Sequence, residues 1–271
     1  MIDFRLKHST GYMLFSYLKK WRILLFMLLF DILFVISLYA AATLFDTFFS
    51  IYEASMVGSW QGYISLLLYF FVVVFSYSFF KYCILDFLDV ISGGTKKKFT
   101  FERFKEFYLY NLIMLFLLLC IFLGITFFFS VALIDLLKTA GVQVFVILFL
   151  FFSYVFVQMS HAVFMHNKTH LQNIHKDVIK QFSWKFFFRY IFWNVIFAIT
   201  FFTVYIILFL LVGKLSGKAL VGQGWYTAFY VLNIFIFVFL VLFLYFFVIW
   251  NRLYLYVAVK RELSKHSTSK K

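Results

Sequence analysis

Apolar residues run along this chain in long unbroken blocks, without the alternation of a strand or the one-sided stripe of a surface helix. Six blocks are long enough to cross about 30 Å of hydrocarbon: 23–45, 62–85, 108–134, 142–165, 190–212 and 226–250. None alternates with period two, and each exceeds the roughly 9–11 residues that a barrel strand needs. No water is available inside a bilayer to satisfy backbone N–H and C=O groups, so such segments must be helices. The pattern predicts an all-α, polytopic membrane bundle of six transmembrane helices forming one domain over 1–271, with a basic tail at 258–271.

Composition agrees and narrows the class. Of 271 residues, 65% are hydrophobic, 25% aromatic and only 13% charged. Soluble domains hold about 45–50% apolar and about 25% charged residues. A soluble enzyme, a secreted disulfide scaffold and a disordered tail are therefore excluded. The 45 phenylalanines need no functional cause, because a low-GC genome produces the same bias. Proline is absent, although average usage of about 5% would supply roughly 13. Proline and glycine are what transporters use to break helices, so uninterrupted helices are expected. Cys83 and Cys120 are lone residues in apolar runs, without metal-ligand spacing or a disulfide framework.

Charge sets the orientation. The N-terminal segment carries Arg5, Lys7, Lys19, Lys20 and Arg22, and the second connection Lys81, Lys96, Lys97, Lys98, Arg103 and Lys105. The fourth carries Lys168, Lys176, Lys180, Lys185 and Arg189, and the tail Arg252, Lys260, Arg261, Lys265, Lys270 and Lys271. Only Lys138, Lys214 and Lys218 of the 25 basic residues remain for the other side. By the positive-inside rule, both termini face the cytoplasm of a cell-membrane protein. The first apolar run is longer than the roughly 7–15 residues of a signal-peptide core, so it is expected to be retained. The net charge of +14 lies beside helix ends, where it meets anionic lipid, and nucleic acid is not expected as a partner. Lys19, Lys20, Arg22, Lys96, Lys97, Lys98, Lys185 and Arg189 are the expected headgroup contacts.

The basic connections divide the chain into three out-and-back hairpins, which echo one another. With Trp21, Phe101 and Trp184 aligned, each copy reaches an aromatic followed by Asp or Asn: Phe30-Asp31, Tyr110-Asn111 and Trp193-Asn194. Ser76-Tyr77 and Ser153-Tyr154 repeat in the even helices, without a third counterpart. Each odd helix is preceded by an amphipathic stretch. KFTFERFKEFY places Phe101, Phe104 and Tyr108 on one face, and similar stripes surround Trp21 and Trp184. Such segments lie in the headgroup plane, as anchors or as a surface for a cytoplasmic protein partner.

Asp31 is the main candidate for chemistry. It lies about nine residues into the first span, on the order of 13 Å deep. An ionised carboxylate there is costly unless paired or protonated, and by default marks a functional site. With Asn111 and Asn194 at matching depth it could form a polar layer for a cation or proton. The plainer alternative is interhelical hydrogen bonding, worth about 0.6 kcal/mol per bond. Lys81 is the fourth intramembrane polar candidate, free to snorkel or to pair with Asp86 or Asp89. His161, His166, His170 and His175 crowd fifteen residues, and only His166 and His170 share a helical face at i, i+4. They are weak metal candidates, since no HExxH carboxylate follows, so no metal or other cofactor is expected. No G-x-S-x-G, P-loop or G-x-G-x-x-G motif occurs, and the sequon at Asn167 falls on the cytoplasmic side.

The second cytoplasmic connection, LDVISGGTKKKFTFERFKEF, runs through a glycine turn and a basic cluster into a Phe-containing helix. It resembles the six-helix membrane domain found beside some glycerophosphodiester phosphodiesterases, and related prokaryotic membrane proteins. The resemblance implies six helices in hairpins. No catalytic domain accompanies it in this chain, so it implies no enzymatic role. In topology the chain is also similar to permease subunits of ABC-2 type exporters, but it lacks their prolines and broken fifth helix.

The expectation is a non-enzymatic scaffold or accessory subunit, with a permease or transporter subunit using the Asp31, Asn111 and Asn194 layer as the alternative. A membrane-embedded enzyme comes third. The orientation is tested by cysteine labelling: Ser55→Cys should react with an impermeant maleimide from outside intact cells and Ser92→Cys should not, and the reverse pattern would invert the topology.

Overall fold

The computed structural model describes residues 19–52, 60–94, 99–132, 135–166, 174, 178–179, 184–219 and 223–268. Side chains within these helices are described except at 48–52, 128–132, 135–142, 184–186, 213–219, 223–229 and 262–268. Six long helices carry the chain: α1 (Trp21–Tyr52), α2 (Trp60–Ile91), α3 (Phe101–Ala132), α4 (Asp135–His166), α5 (Trp184–Ala219) and α6 (Gln223–Thr268). Among the described residues all six are long and apolar enough to cross a membrane, and no strand occurs. The chain is a helical, multi-pass membrane protein.

The helices outrun the apolar blocks. α3 holds 32 residues, about 48 Å at 1.5 Å per residue, against about 30 Å of hydrocarbon. Its excess turns carry Glu102, Arg103, Lys105 and Glu106, so the stretch expected to lie in the headgroup plane is instead the first turns of the span. Phe104 and Phe107 of that stretch are buried, whereas Phe101 is exposed. Of the comparable stripes around Trp21 and Trp184, the flanking Phe15, Leu18 and Phe182 lie outside the described residues. α6 likewise continues through most of the expected tail, to Thr268.

The chain forms two compact units, Met1–Val178 with Leu255–Lys271, and Ile179–Tyr254, so α6 contributes to both. In the first unit α2 packs against α1, α3 and α4, and α3 against α4. Aromatic rings set the antiparallel registers. Along α1 and α2, Phe26 meets Phe87, Phe30 meets Phe80, Phe34 meets Tyr77, and Phe45 meets Tyr69. Phe104 of α3 packs edge-on against Phe75, Phe79 and Tyr82 of α2. Phe107 meets Phe164 and Phe122 meets Phe149 between α3 and α4. In the second unit, α5 and α6 pair through Tyr190–Tyr254, Trp193–Trp250, Phe197–Phe247 and Phe201–Phe243.

The core of the first unit lies at one end of its helices. Leu85 and Leu88, Phe104 and Phe107, Met159 and Val163, and Leu255 and Val257 are all buried. Towards the opposite ends Tyr39, Leu44 and Phe127 are more than 70% exposed. Lipid tails are as apolar as leucine, so nothing drives such side chains together within hydrocarbon, and they face lipid instead.

The buried end is also the basic end, where cations cap helix C-termini. Lys20 Nζ donates to Ile91 O at 2.8 Å, and Arg103 donates to Met165 O at 3.1 Å while lying 5.8 Å from the Phe164 ring. Both satisfy last-turn carbonyls that have no partner within the helix, and both complement its negative dipole end. α2 then closes in a Schellman motif: Gly94 N–H bonds Asp89 O at 2.8 Å, Gly93 N–H bonds Val90 O at 3.2 Å, and Gly93 has φ +88°. The Asp89 carboxylate, in the last turn of α2, opposes the dipole. Lys260 offsets it, with Nζ 3.1 Å from Asp89 Oδ1 and 2.9 Å from Ser92 Oγ. A Cβ on Gly94 would meet the Asp89 carboxylate at 2.5 Å, so the close approach requires glycine. Gly93→Ala meets nothing but forces a left-handed alanine, and should lower stability by about 1–2 kcal/mol in thermal or denaturant unfolding of the detergent-solubilised protein.

Candidate functional site: a polar cluster among α2, α3 and α4

Inside the first unit, at the level where its core begins, five polar side chains of three helices gather. Asn111 of α3 is fully buried, as are Ser78 of α2 and His161 of α4. Asn111 Nδ2 donates to Ser78 Oγ at 3.0 Å, and Ser78 Oγ donates to Val74 O of its own helix at 2.7 Å. With its hydroxyl proton on Val74, Ser78 must accept from Asn111, which turns the amide oxygen towards His161. His161 Nε2 lies 2.6 Å from Asn111 Oδ1 and so carries the proton. The chain of donors runs one way, from imidazole through amide and hydroxyl to a backbone carbonyl. It leaves His161 Nδ1 as a lone pair, buried and without a hydrogen-bond partner.

The third interhelical bond of the cluster joins α2 and α4. Lys81 is 4% exposed, and its ammonium lies 2.6 Å from Gln158 Oε1. Lys81 follows Ser78 by three residues on α2, as His161 follows Gln158 on α4, so each pair shares one helical face. The surroundings are aromatic, with the His161 ring 5.0 Å from Phe107 and 6.0 Å from Tyr77. Beside it the Tyr110 hydroxyl lies against the Ser160 hydroxyl, which donates to Phe156 O.

The expected candidates fall into three groups. Asn111 and Lys81 belong to this cluster. Asp31 lies half-buried on α1, whose Phe30 and Phe34 rings pack on Phe80 and Tyr77 of α2. Asn194 belongs to the other unit and donates to Tyr190 O of its own helix at 2.8 Å. Among the headgroup candidates, Lys20 caps α2, Arg22 stacks on Trp21 at 5.7 Å, and Lys19 and Arg189 are exposed. Lys96, Lys97, Lys98 and the Lys185 side chain lie outside the described residues. So does His170; His166 packs on Tyr256 with ring centroids 4.9 Å apart. No group of three or more His, Cys, Asp or Glu residues able to hold a metal occurs among the described residues.

Sequence reasoning missed Ser78 and Gln158, and gave His161 no role. The available signal was their helical spacing to Lys81 and His161. The cluster fixes three helices in register, and His161 Nδ1 is left able to accept a further hydrogen bond. No protein-family model, curated protein or solved structure matches the chain.

Nitrogen-15 NMR of the lipid-embedded protein should show His161 neutral and protonated on Nε2, and an Nδ1–H tautomer would refute the direction of the chain. Asn111→Leu, which strands both the imidazole N–H and the Ser78 acceptor, should cost about 1–3 kcal/mol, more than Ser78→Ala.

Proposed function

We propose that this chain is a non-enzymatic scaffold or accessory subunit of the cell membrane, built of three related hairpins with both termini in the cytoplasm. The observation that supports this reading is where the polar groups of the first unit go. Asn111, Ser78 and His161 bond to one another, Lys81 to Gln158, and Lys20, Arg103 and Lys260 to helix ends. They act as pins between helices, which is what a rigid membrane platform needs. The expected basic loops and tail then meet anionic headgroups and present the surface for a protein partner.

A permease or transporter subunit is the second reading, and two features favour it. Lys81 is buried at membrane depth, and His161 keeps an unfilled acceptor. Intramembrane ionisable side chains are by default functional. The polar layer of Asp31, Asn111 and Asn194 belongs to this alternative.

The test is native mass spectrometry of the protein extracted in nanodiscs from its own membranes, together with flux measurements after reconstitution. A stoichiometric complex with a second protein that is not an ATPase, and liposomes that stay tight to protons and alkali cations, are the expected results. An ATPase partner would select the permease reading. Flux through the chain alone would overturn the scaffold.

A further inference from the structure

The register of the hairpins carries one step more. In the second hairpin the odd-helix Asn111 faces a polar residue of the even helix, His161, at 2.6 Å. The rings of the first hairpin put Asp31 in the same situation. Phe30 meets Phe80 at 6.2 Å, and Phe34 meets Phe80 and Tyr77, each at 6.0 Å. Asp31 lies between Phe30 and Phe34, three residues before Phe34. Lys81 follows Phe80 and lies four residues after Tyr77. In an antiparallel pair these two steps bring Asp31 and Lys81 to one level, on stripes that adjoin the ring contacts. Lys81 is 4% exposed, and its ammonium also bonds Gln158 Oε1 at 2.6 Å, so it is held at this level of the bundle.

The third hairpin sets two asparagines level within its own unit. Tyr190, Asn194, Phe197 and Phe201 follow one i, i+3/i+4 stripe of α5, and Phe247, Asn251 and Tyr254 one stripe of α6. Trp193 meets Trp250 at 6.1 Å and Phe197 meets Phe247 at 5.2 Å, which sets Asn194 level with Asn251. Each asparagine spends one amide proton on its own helix, Asn194 on Tyr190 O and Asn251 on Phe247 O. Asn251 Oδ1 is buried with no hydrogen-bond partner, and Asn194 retains a second amide proton.

We infer that each hairpin is closed by one intramembrane polar clasp between its odd and even helices: Asp31 with Lys81, Asn111 with His161, and Asn194 with Asn251. The inference rests on the three-hairpin part of the proposed architecture and names the partner residues that the sequence echo lacks. It accounts for a carboxylate and an ammonium in the same hairpin: paired, they enter the bilayer as a neutral unit. The first clasp is the only one of the three made of opposite charges.

Double-mutant cycles test the clasps in the full-length protein in lipid nanodiscs, read by thermal unfolding. D31N and K81M should each lower Tm by at least about 5 °C, and D31N/K81M should recover most of the loss. N194L and N251L should couple in the same sense with smaller shifts. Additive losses in either cycle overturn the inference. Where a single variant does not accumulate, recovery of membrane yield in the double variant is the equivalent readout, and failure to recover counts against the clasp. The transplant D31N/K81H, which copies the second clasp into the first hairpin, separates the clasp from the repeat. Wild-type Tm supports both, whereas a collapse beside coupled cycles leaves the clasps standing and rejects the hairpins as copies.

Discussion

A polar atom inside hydrocarbon has no water to fall back on, and most of what distinguishes this protein follows from that constraint. Short side chains meet it locally. Thr43, Thr126, Thr200 and Thr203 each return their hydroxyl proton to the carbonyl four residues earlier on their own helix. They are satisfied without holding anything together. Asparagine, histidine, glutamine and lysine reach further and present more than one group, so one group can serve a neighbouring helix. Asn111, His161, Lys81 and Gln158 make such crossings in the first unit, and two of their three bonds end on α2, which touches α1, α3 and α4.

Packing in the first unit obeys the same constraint from the apolar side. With no hydrophobic force between helices in lipid, association depends on close contact and on polar bonds. Aromatic rings supply the contact, edge-on and tilted along each antiparallel pair, and the abundance of phenylalanine becomes structural even if its origin is mutational bias. The polar bonds gather at the basic end. There the last carbonyls of α2 and α4 need donors, and Lys20, Arg103 and Lys260 provide them. Basic side chains at this end thus hold helix ends together.

These two features bear on function in the same way. A platform that must keep its helices in place gains from polar groups used internally and from cations fixed on helix ends. A carrier needs groups that can change partners. The cluster leans towards the first, and His161 Nδ1, with its unfilled lone pair, is the feature that leans towards the second.

Sequence alone determined the class, the number of spans, the intact helices and the positions where polar side chains enter the apolar blocks, because these depend on composition and on length against bilayer thickness. It also marked the glycine turn after α2, since Ser92-Gly93-Gly94 can close a helix as few other residues can. It did not show which polar residue meets which. Asp31, Asn111 and Asn194 share a depth in the sequence, yet depth says nothing about facing, and the structure gives Asn111 to Ser78 and His161. The partners stand 33 and 50 residues away, and only the register of the hairpins brings them together. Headgroup lysines were read from proximity to helix ends, a one-dimensional property. Whether an ammonium turns to lipid or, as in Lys20, to a carbonyl seventy-one residues on, depends on which helix end lies beside it, and that is decided in three dimensions.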